Sequence, residues 1–224
     1  PVSPQTRHLL FRLVSAQVCV HACMTGFRMA APLMALREGA SALAAGVLLA
    51  LFALSQVFLS LPAGRFVDRH GLHRPMALAV LIAVSGGMAA TVWPVYGVLC
   101  LTALTCGAAS GLALIALQRQ VGLLARDVTE LRQVFSWLAL GPSVSNFFGP
   151  FAAGVVIDLY GFRAAYGLLG VLPLLGWLVM RRVAVPQTVP KADAATVSSP
   201  WSLVRQVQFR RLLLINWLLA SCWD

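Results

Sequence analysis

Four polar residues of this chain fall inside long apolar segments, where their side chains could bind a polar solute or carry a proton. Gln17 and His21 lie four residues apart in the first apolar segment, and Arg28 follows in the same segment. Asp224 lies in the last one. Because polar groups are costly in hydrocarbon, such residues are the first candidates for a substrate or proton path. A packed histidine and an arginine that reaches the membrane interface remain the alternatives for His21 and Arg28.

No residue grouping indicates an enzyme or a metal centre. The sequence contains no HExxH pair and no GxxxxGK[ST] phosphate loop, and no nucleophile is paired with a base. Cys19 and Cys23 share a helical face, but His21 points away from it, so we expect no metal site. We also expect no cofactor, and the protein is predicted not to be an enzyme.

The composition predicts an all-α membrane protein. Hydrophobic residues make up 59% of the chain and charged residues only 11%, whereas soluble domains carry about 25% charged residues. The net charge of +10 could suggest a nucleic-acid partner. The cations, however, lie at the ends of apolar segments and form no stripe with aromatic residues, so we expect a lipid bilayer and no nucleic acid.

Hydropathy predicts six complete membrane spans and the start of a seventh. We place the six spans at about 9–34, 41–63, 75–92, 95–117, 134–157 and 164–180. The chain then divides into a six-helix bundle over residues 1–182, a cytoplasmic linker over 183–208 and a truncated seventh helix over 209–224. Because the chain lacks an initiating Met and stops inside an apolar segment, we expect it to be part of a longer protein.

The distribution of cations predicts the orientation. If the N-terminus is cytoplasmic, fourteen of the 17 Lys and Arg residues face the cytoplasm and only two face the other side. This bias indicates a multi-pass protein of the plasma membrane, which in a bacterium would be the inner membrane.

A short cationic segment at 64–74, between the second and third spans, reads Gly-Arg-Phe-Val-Asp-Arg-His-Gly-Leu-His-Arg. It resembles the signature loop of the major facilitator superfamily, roughly G-x-x-x-D-R-x-G-R-R-x. The positions that match are Gly64, Asp68, Arg69 and Gly71. Leu72 and His73 replace two basic positions, and Arg74 supplies a late charge. The resemblance implies a major-facilitator-type six-helix bundle that forms half of a twelve-helix transporter.

In that family the loop acts as a conformational latch, in which an acid and its basic partners join the cytoplasmic ends of neighbouring helices. Carried over to this chain, Asp68 would be the acid, Arg69 and Arg74 would be its partners, and Gly64 and Gly71 would permit the turn. The alternative is a cationic turn that only fixes the topology.

A second resemblance lies on the fifth span. Six positions are similar to the antiporter motif of the superfamily's drug exporters: Gly141, Pro142, Ser145, Gly149, Pro150 and Gly154. Ser145 and Ala153 replace two glycines of the motif. Small residues four apart let helices approach closely, and Pro150 permits bending, so a close-packed, kinked helix is the alternative to an antiporter function.

The resemblances imply a transporter that acts by alternating access, with a small-molecule substrate and protons as partners. We expect proton-coupled export of a small amphipathic or drug-like molecule, by a monomer once the C-terminal half is present. Uptake of a small organic anion is the alternative, because Arg28 would suit an anion. A transporter-like receptor or assembly protein is the alternative from another class. We further predict that Arg28 and Asp224 pair across the two halves, because the two charges lie at similar depth.

Overall fold

The structure is a computed structural model that describes residues 4–125, 128–183, 210–211 and 214–215. The chain divides into two compact units, Pro1–Gln187 and Thr188–Asp224. The described residues of the first unit form six helices: α1 (Pro4–Arg37), α2 (Ala42–His70), α3 (His73–Val92), α4 (Tyr96–Leu124), α5 (Val128–Tyr160) and α6 (Phe162–Met180). All six are long and apolar enough to cross a membrane, which confirms the predicted all-α bundle of six spans.

Several helices extend further than hydropathy predicted. Residues 64–70 belong to α2, α4 continues to Leu124 beyond the span predicted at 95–117, and α5 begins at Val128, ahead of the span predicted at 134–157. Hydropathy detects only the part of a helix that lies in the hydrocarbon core, which about 20 residues cross. The helix itself can continue into the headgroup region. The backbone leaves α2 at Gly71, where φ is 69° and ψ is −149°. Gly64 therefore lies within the helix, and the turn forms at Gly71.

Two other helix ends follow from local sequence. Pro94 cannot donate a backbone hydrogen bond, and α3 ends at Val92 just before it. This confirms the predicted break between the third and fourth spans. Ser41 caps the start of α2, because its hydroxyl oxygen accepts a hydrogen bond from the Ala44 N–H at 3.2 Å.

The helix α1 is the most buried of the six spans. In its apolar stretch of 18 residues, 56% is buried inside the bundle. Glycines let the neighbouring helices pack closely. A Cβ atom added at Gly176 of α6 would lie 3.0 Å from the Ala16 carbonyl of α1, and one added at Gly87 of α3 would lie 2.7 Å from the Gly170 Cα of α6. Close approach through small residues is the usual means of packing helices in a membrane.

One end of the bundle, which we call the cationic end, carries most of the described arginines: Arg7, Arg12, Arg65, Arg69, Arg74, Arg119, Arg132, Arg181 and Arg182. At the opposite end, aromatic residues form contacts between helices. The Tyr96 hydroxyl donates to the Ala44 carbonyl at 3.0 Å, and the Arg37 guanidinium lies 5.3 Å from the centre of the Phe162 ring. The cationic end is the one that the sequence predicts to be cytoplasmic.

Candidate functional site

A polar contact joins α1 and α4 at the middle of the bundle. His21 lies near the midpoint of α1 and Ser110 near the midpoint of α4. The His21 Nδ1 atom is 3.1 Å from the Ser110 hydroxyl oxygen. His21 is half-buried and Ser110 is buried. An imidazole can donate, accept or carry a proton, so this contact can bind a polar group or relay a proton.

Arg28 lies on the same face of α1 as His21, seven residues and therefore about 10 Å further along the helix. Its side chain is exposed. Within the part of the chain that the structure describes, Arg28 forms no ion pair with a carboxylate. The structure thus leaves Arg28 accessible. Both a role in binding substrate and a role at the membrane interface require this.

Gln17 occupies a different environment from His21, although one helical turn separates them. It is buried at the contact of α1 with α5, where a Cβ atom added at Gly141 would lie 2.7 Å from its Oε1 atom. Neither polar atom of the Gln17 amide has a hydrogen-bond partner among the described residues. Sequence reasoning placed Gln17 and His21 on one path, but the structure packs His21 against α4 and Gln17 against α5.

The motif on α5 forms the surface that packs against α1. Its residues at spacing four are buried: Gly141, Ser145, Gly149 and Ala153. The Ser145 hydroxyl donates to the Gly141 carbonyl at 2.7 Å and lies 3.2 Å from the Val18 carbonyl of α1. The Thr25 hydroxyl of α1 donates back to the Ser145 carbonyl at 2.9 Å. Close packing of α1 and α5 therefore accounts for the small residues at these positions.

The remaining motif residues take no part in that tight contact. Pro142 and Pro150 are half-buried, and α5 continues as a single helix through both. A Cβ atom at Gly154 would approach only the Met29 methyl group, at 4.0 Å. The glycine at this position is therefore not required by the α1 contact.

An ion pair joins α2 to α4 at the cationic end. The Arg119 Nε atom lies 2.9 Å from the Asp68 Oδ1 atom, and the side chains are 21% and 73% exposed. The resemblance assigned Arg69 and Arg74 as partners of Asp68, whereas the ion pair seen in the structure is with Arg119. One signal was available in the sequence, because the second and fourth spans both end on the same side of the membrane.

His73, which replaces a basic position of the family pattern, also joins two helices at this end. Its Nε2 atom lies 3.1 Å from the carbonyl oxygen of Val183, just after α6. Asp224, and with it the predicted pair with Arg28, lies outside the described residues. The predicted linker beyond Val183 and most of the predicted seventh helix also lie outside them. Among the described residues, no group of three or more His, Cys, Asp or Glu side chains could hold a metal ion.

Two comparisons with known proteins give consistent results. The sequence model of a family described as Major Facilitator Superfamily matches residues 13–223. A protein of Bacillus subtilis (strain 168), named "Uncharacterized transporter YwbF", is 27% identical over 147 residues. That alignment covers 63% of this chain and 35% of the relative. The chain thus spans about a third of the length of the relative that it matches.

Proposed function

Because this chain belongs to the Major Facilitator Superfamily, we propose that it is the N-terminal half of a secondary active transporter. Its family and its relative indicate a transporter and not an enzyme, as the sequence predicts. In this proposal residues 1–182 form the first six-helix bundle, residues 183–208 link the two halves, and residues 209–224 begin the second bundle. The complete protein acts as a monomer.

The observation that carries the proposal is the contact of His21 with Ser110 at mid-depth. Transporters of this class bind substrate near the membrane midplane between their two halves and alternate access around that site. Half-buried His21 is the described ionisable side chain nearest the middle of α1, the best-buried helix. In our proposal α1 and α4 line the path, and His21 takes up and releases the coupling proton.

We propose export of a small amphipathic or drug-like molecule, driven by the proton gradient. The resemblance of α5 to the drug-exporter motif supports this direction. The exposed Arg28 favours a second candidate, the uptake of a small organic anion. A receptor or assembly protein with the same bundle would need neither substrate nor protons, so proton-coupled flux separates these classes.

In our proposal the cationic end faces the cytoplasm, in bacteria at the inner membrane, and Asp68 acts as the latch there. The Asp68 side chain is 73% exposed although one oxygen contacts Arg119. The carboxylate can therefore accept a further hydrogen bond from a segment outside this bundle. Such a contact would join the two halves in one conformational state and be released in the other.

The experiment uses the full-length protein in two kinds of membrane vesicle. Inverted vesicles report export, with ethidium as the probe, and right-side-out vesicles report uptake, with [14C]benzoate as the probe. We expect ethidium accumulation that requires a proton gradient. In His21→Gln the rate should fall by about 100-fold or more, as is typical for the loss of a positioned proton-transfer group. His8→Gln is the matched control, because His8 lies on the same helix but at the exposed cationic end.

The possible outcomes separate the candidates. Accumulation of benzoate in right-side-out vesicles, above that of vesicles without the protein, and no accumulation of ethidium in inverted vesicles would favour anion uptake. Proton-independent flux, or His21→Gln vesicles that behave as the His8→Gln vesicles do, would contradict the proposed role of His21.

A further inference from the structure

The face of α2 that is exposed in this bundle carries a shallow pocket of about 410 Å³ at the cationic end. Residues of this one helix line it: Leu61, Pro62, Arg65, Phe66, Arg69 and His70. Both arginines are exposed. The pocket thus combines two guanidinium groups and an imidazole with an aromatic ring.

The same face of α2 continues into the membrane as an apolar stripe. Leu54, Phe58 and Leu61 are 47%, 72% and 65% exposed. With Arg65 and Arg69 they follow the three- and four-residue spacing of one helical face. About one turn of cationic surface therefore lies directly above about two turns of exposed apolar surface.

The depth of the pocket matches the lipid headgroups. The apolar part of α2, residues 42–63, is about 33 Å long at 1.5 Å per residue, and a hydrocarbon core is about 30 Å thick. Arg65 and Arg69 follow this part by a few ångströms. They consequently lie at the level of the phosphate groups of the bilayer.

The two arginines are not neutralised by the described residues. Neither forms an ion pair there, and the neighbouring carboxylate of Asp68 contacts Arg119. The imidazole of His70 folds back along the helix, with its Nδ1 atom 3.0 Å from the Phe66 carbonyl and its ring centre 4.4 Å from that of Phe66. The pocket is thus an ordered surface with unbalanced positive charge.

We infer that this face of α2 binds an anionic phospholipid. The headgroup phosphate accepts hydrogen bonds from Arg65 and Arg69, because guanidinium groups suit phosphate geometry. An acyl chain packs along Leu61, Phe58 and Leu54. If the cations only anchored the helix, or only complemented its C-terminal dipole, replacing these two arginines would lower the affinity no more than replacing other exposed arginines at the same end.

The test is native mass spectrometry of the full-length protein in detergent, titrated with palmitoyl-oleoyl phosphatidylglycerol or phosphatidylcholine. We expect retained phosphatidylglycerol and an affinity roughly 25-fold lower in Arg65→Gln/Arg69→Gln, at about fivefold per membrane-surface arginine. Arg181→Gln/Arg182→Gln is the matched control, because it removes the same charge from exposed residues at the same end. It should change the affinity less than threefold.

Arg65→Lys/Arg69→Lys keeps the charge but loses the bidentate geometry, so its affinity should lie between those of the wild type and the glutamine variant. Three results would overturn the inference. These are equal losses in the two glutamine pairs, equal binding of the two lipids, or no retained phosphatidylglycerol in the wild type. The last result would mean that another protein segment covers this face.

Discussion

The contact of α1 with α5 makes a quantitative prediction for Gly149→Ala. A Cβ atom at Gly149 would lie 2.6 Å from the Ala22 carbonyl oxygen and 3.1 Å from the Gly26 nitrogen, and it would lie closer still to the Thr25 hydroxyl. The first of these is about 0.8 Å short of the 3.4 Å at which ordinary contact begins. Because two of the three atoms belong to the backbone of α1, the helices must separate to accept the methyl group.

The size of the effect follows from two opposing contributions. Overpacking of a close contact costs about 1–3 kcal/mol, and replacing a helical glycine by alanine returns up to about 1 kcal/mol. Gly154→Ala on the same helix receives only the second contribution, since its Cβ atom would meet nothing closer than 4.0 Å. The difference between the two variants is therefore the overpacking cost.

The assay is thermal unfolding of the full-length protein in one detergent, followed by a thiol-reactive dye. At about 3 °C per kcal/mol for a bundle of this length, Gly149→Ala should melt roughly 3–9 °C below Gly154→Ala. Gly154→Ala itself should melt at or slightly above the wild type. Equal melting temperatures for the two variants would refute the close packing of α1 and α5 at this level.

Three further predictions concern other contacts. Ser145→Ala removes the hydroxyl between α5 and α1 and should lower the free energy of unfolding by about 0.6 kcal/mol, the average for such bonds in membranes, measured by denaturation in mixed micelles. Gly71→Ala should lower the free energy of unfolding by about 1–3 kcal/mol, because φ is 69° at this position. Gly64→Ala should leave it unchanged in the same assay, because a Cβ atom at Gly64 would meet no neighbouring atom within 4 Å. Asp68→Asn should reduce transport in vesicles far more than Arg119→Gln, since an exposed ion pair contributes only about 0–1 kcal/mol; equal losses would contradict a latch that acts on another segment.

The sequence was sufficient to predict the six spans of the bundle and their order. An apolar segment of membrane length has few alternatives to a helix, and Pro94 fixes one of the connections. The helix ends were less predictable, because hydropathy reports the hydrocarbon core and not the helix. Residues 64–70 include Arg65, Asp68, Arg69 and His70 and still continue α2 to Gly71, where the backbone changes direction.

The neighbours of the candidate residues could not be predicted from spacing alone. Gln17 and His21 share a face of α1 by periodicity, yet this face lies between two helices, so each residue meets a different one. The partner of Asp68 depends on which helix ends lie side by side, and the sequence places several arginines on that side of the membrane. Tertiary packing selects Arg119 among them.

The central claim is that His21 lies on a path that opens alternately to the two sides of the membrane. The most direct measurement is the labelling of His21→Cys by a membrane-impermeant methanethiosulfonate, in a full-length background with its cysteines replaced by alanine. Leu81→Cys, an exposed residue near the middle of α3, is the control that faces hydrocarbon. We predict labelling of His21→Cys in both right-side-out and inverted vesicles, and of Leu81→Cys in neither. If His21→Cys were labelled in only one of the two vesicle orientations, or in neither, the result would contradict the claim of alternating access at His21.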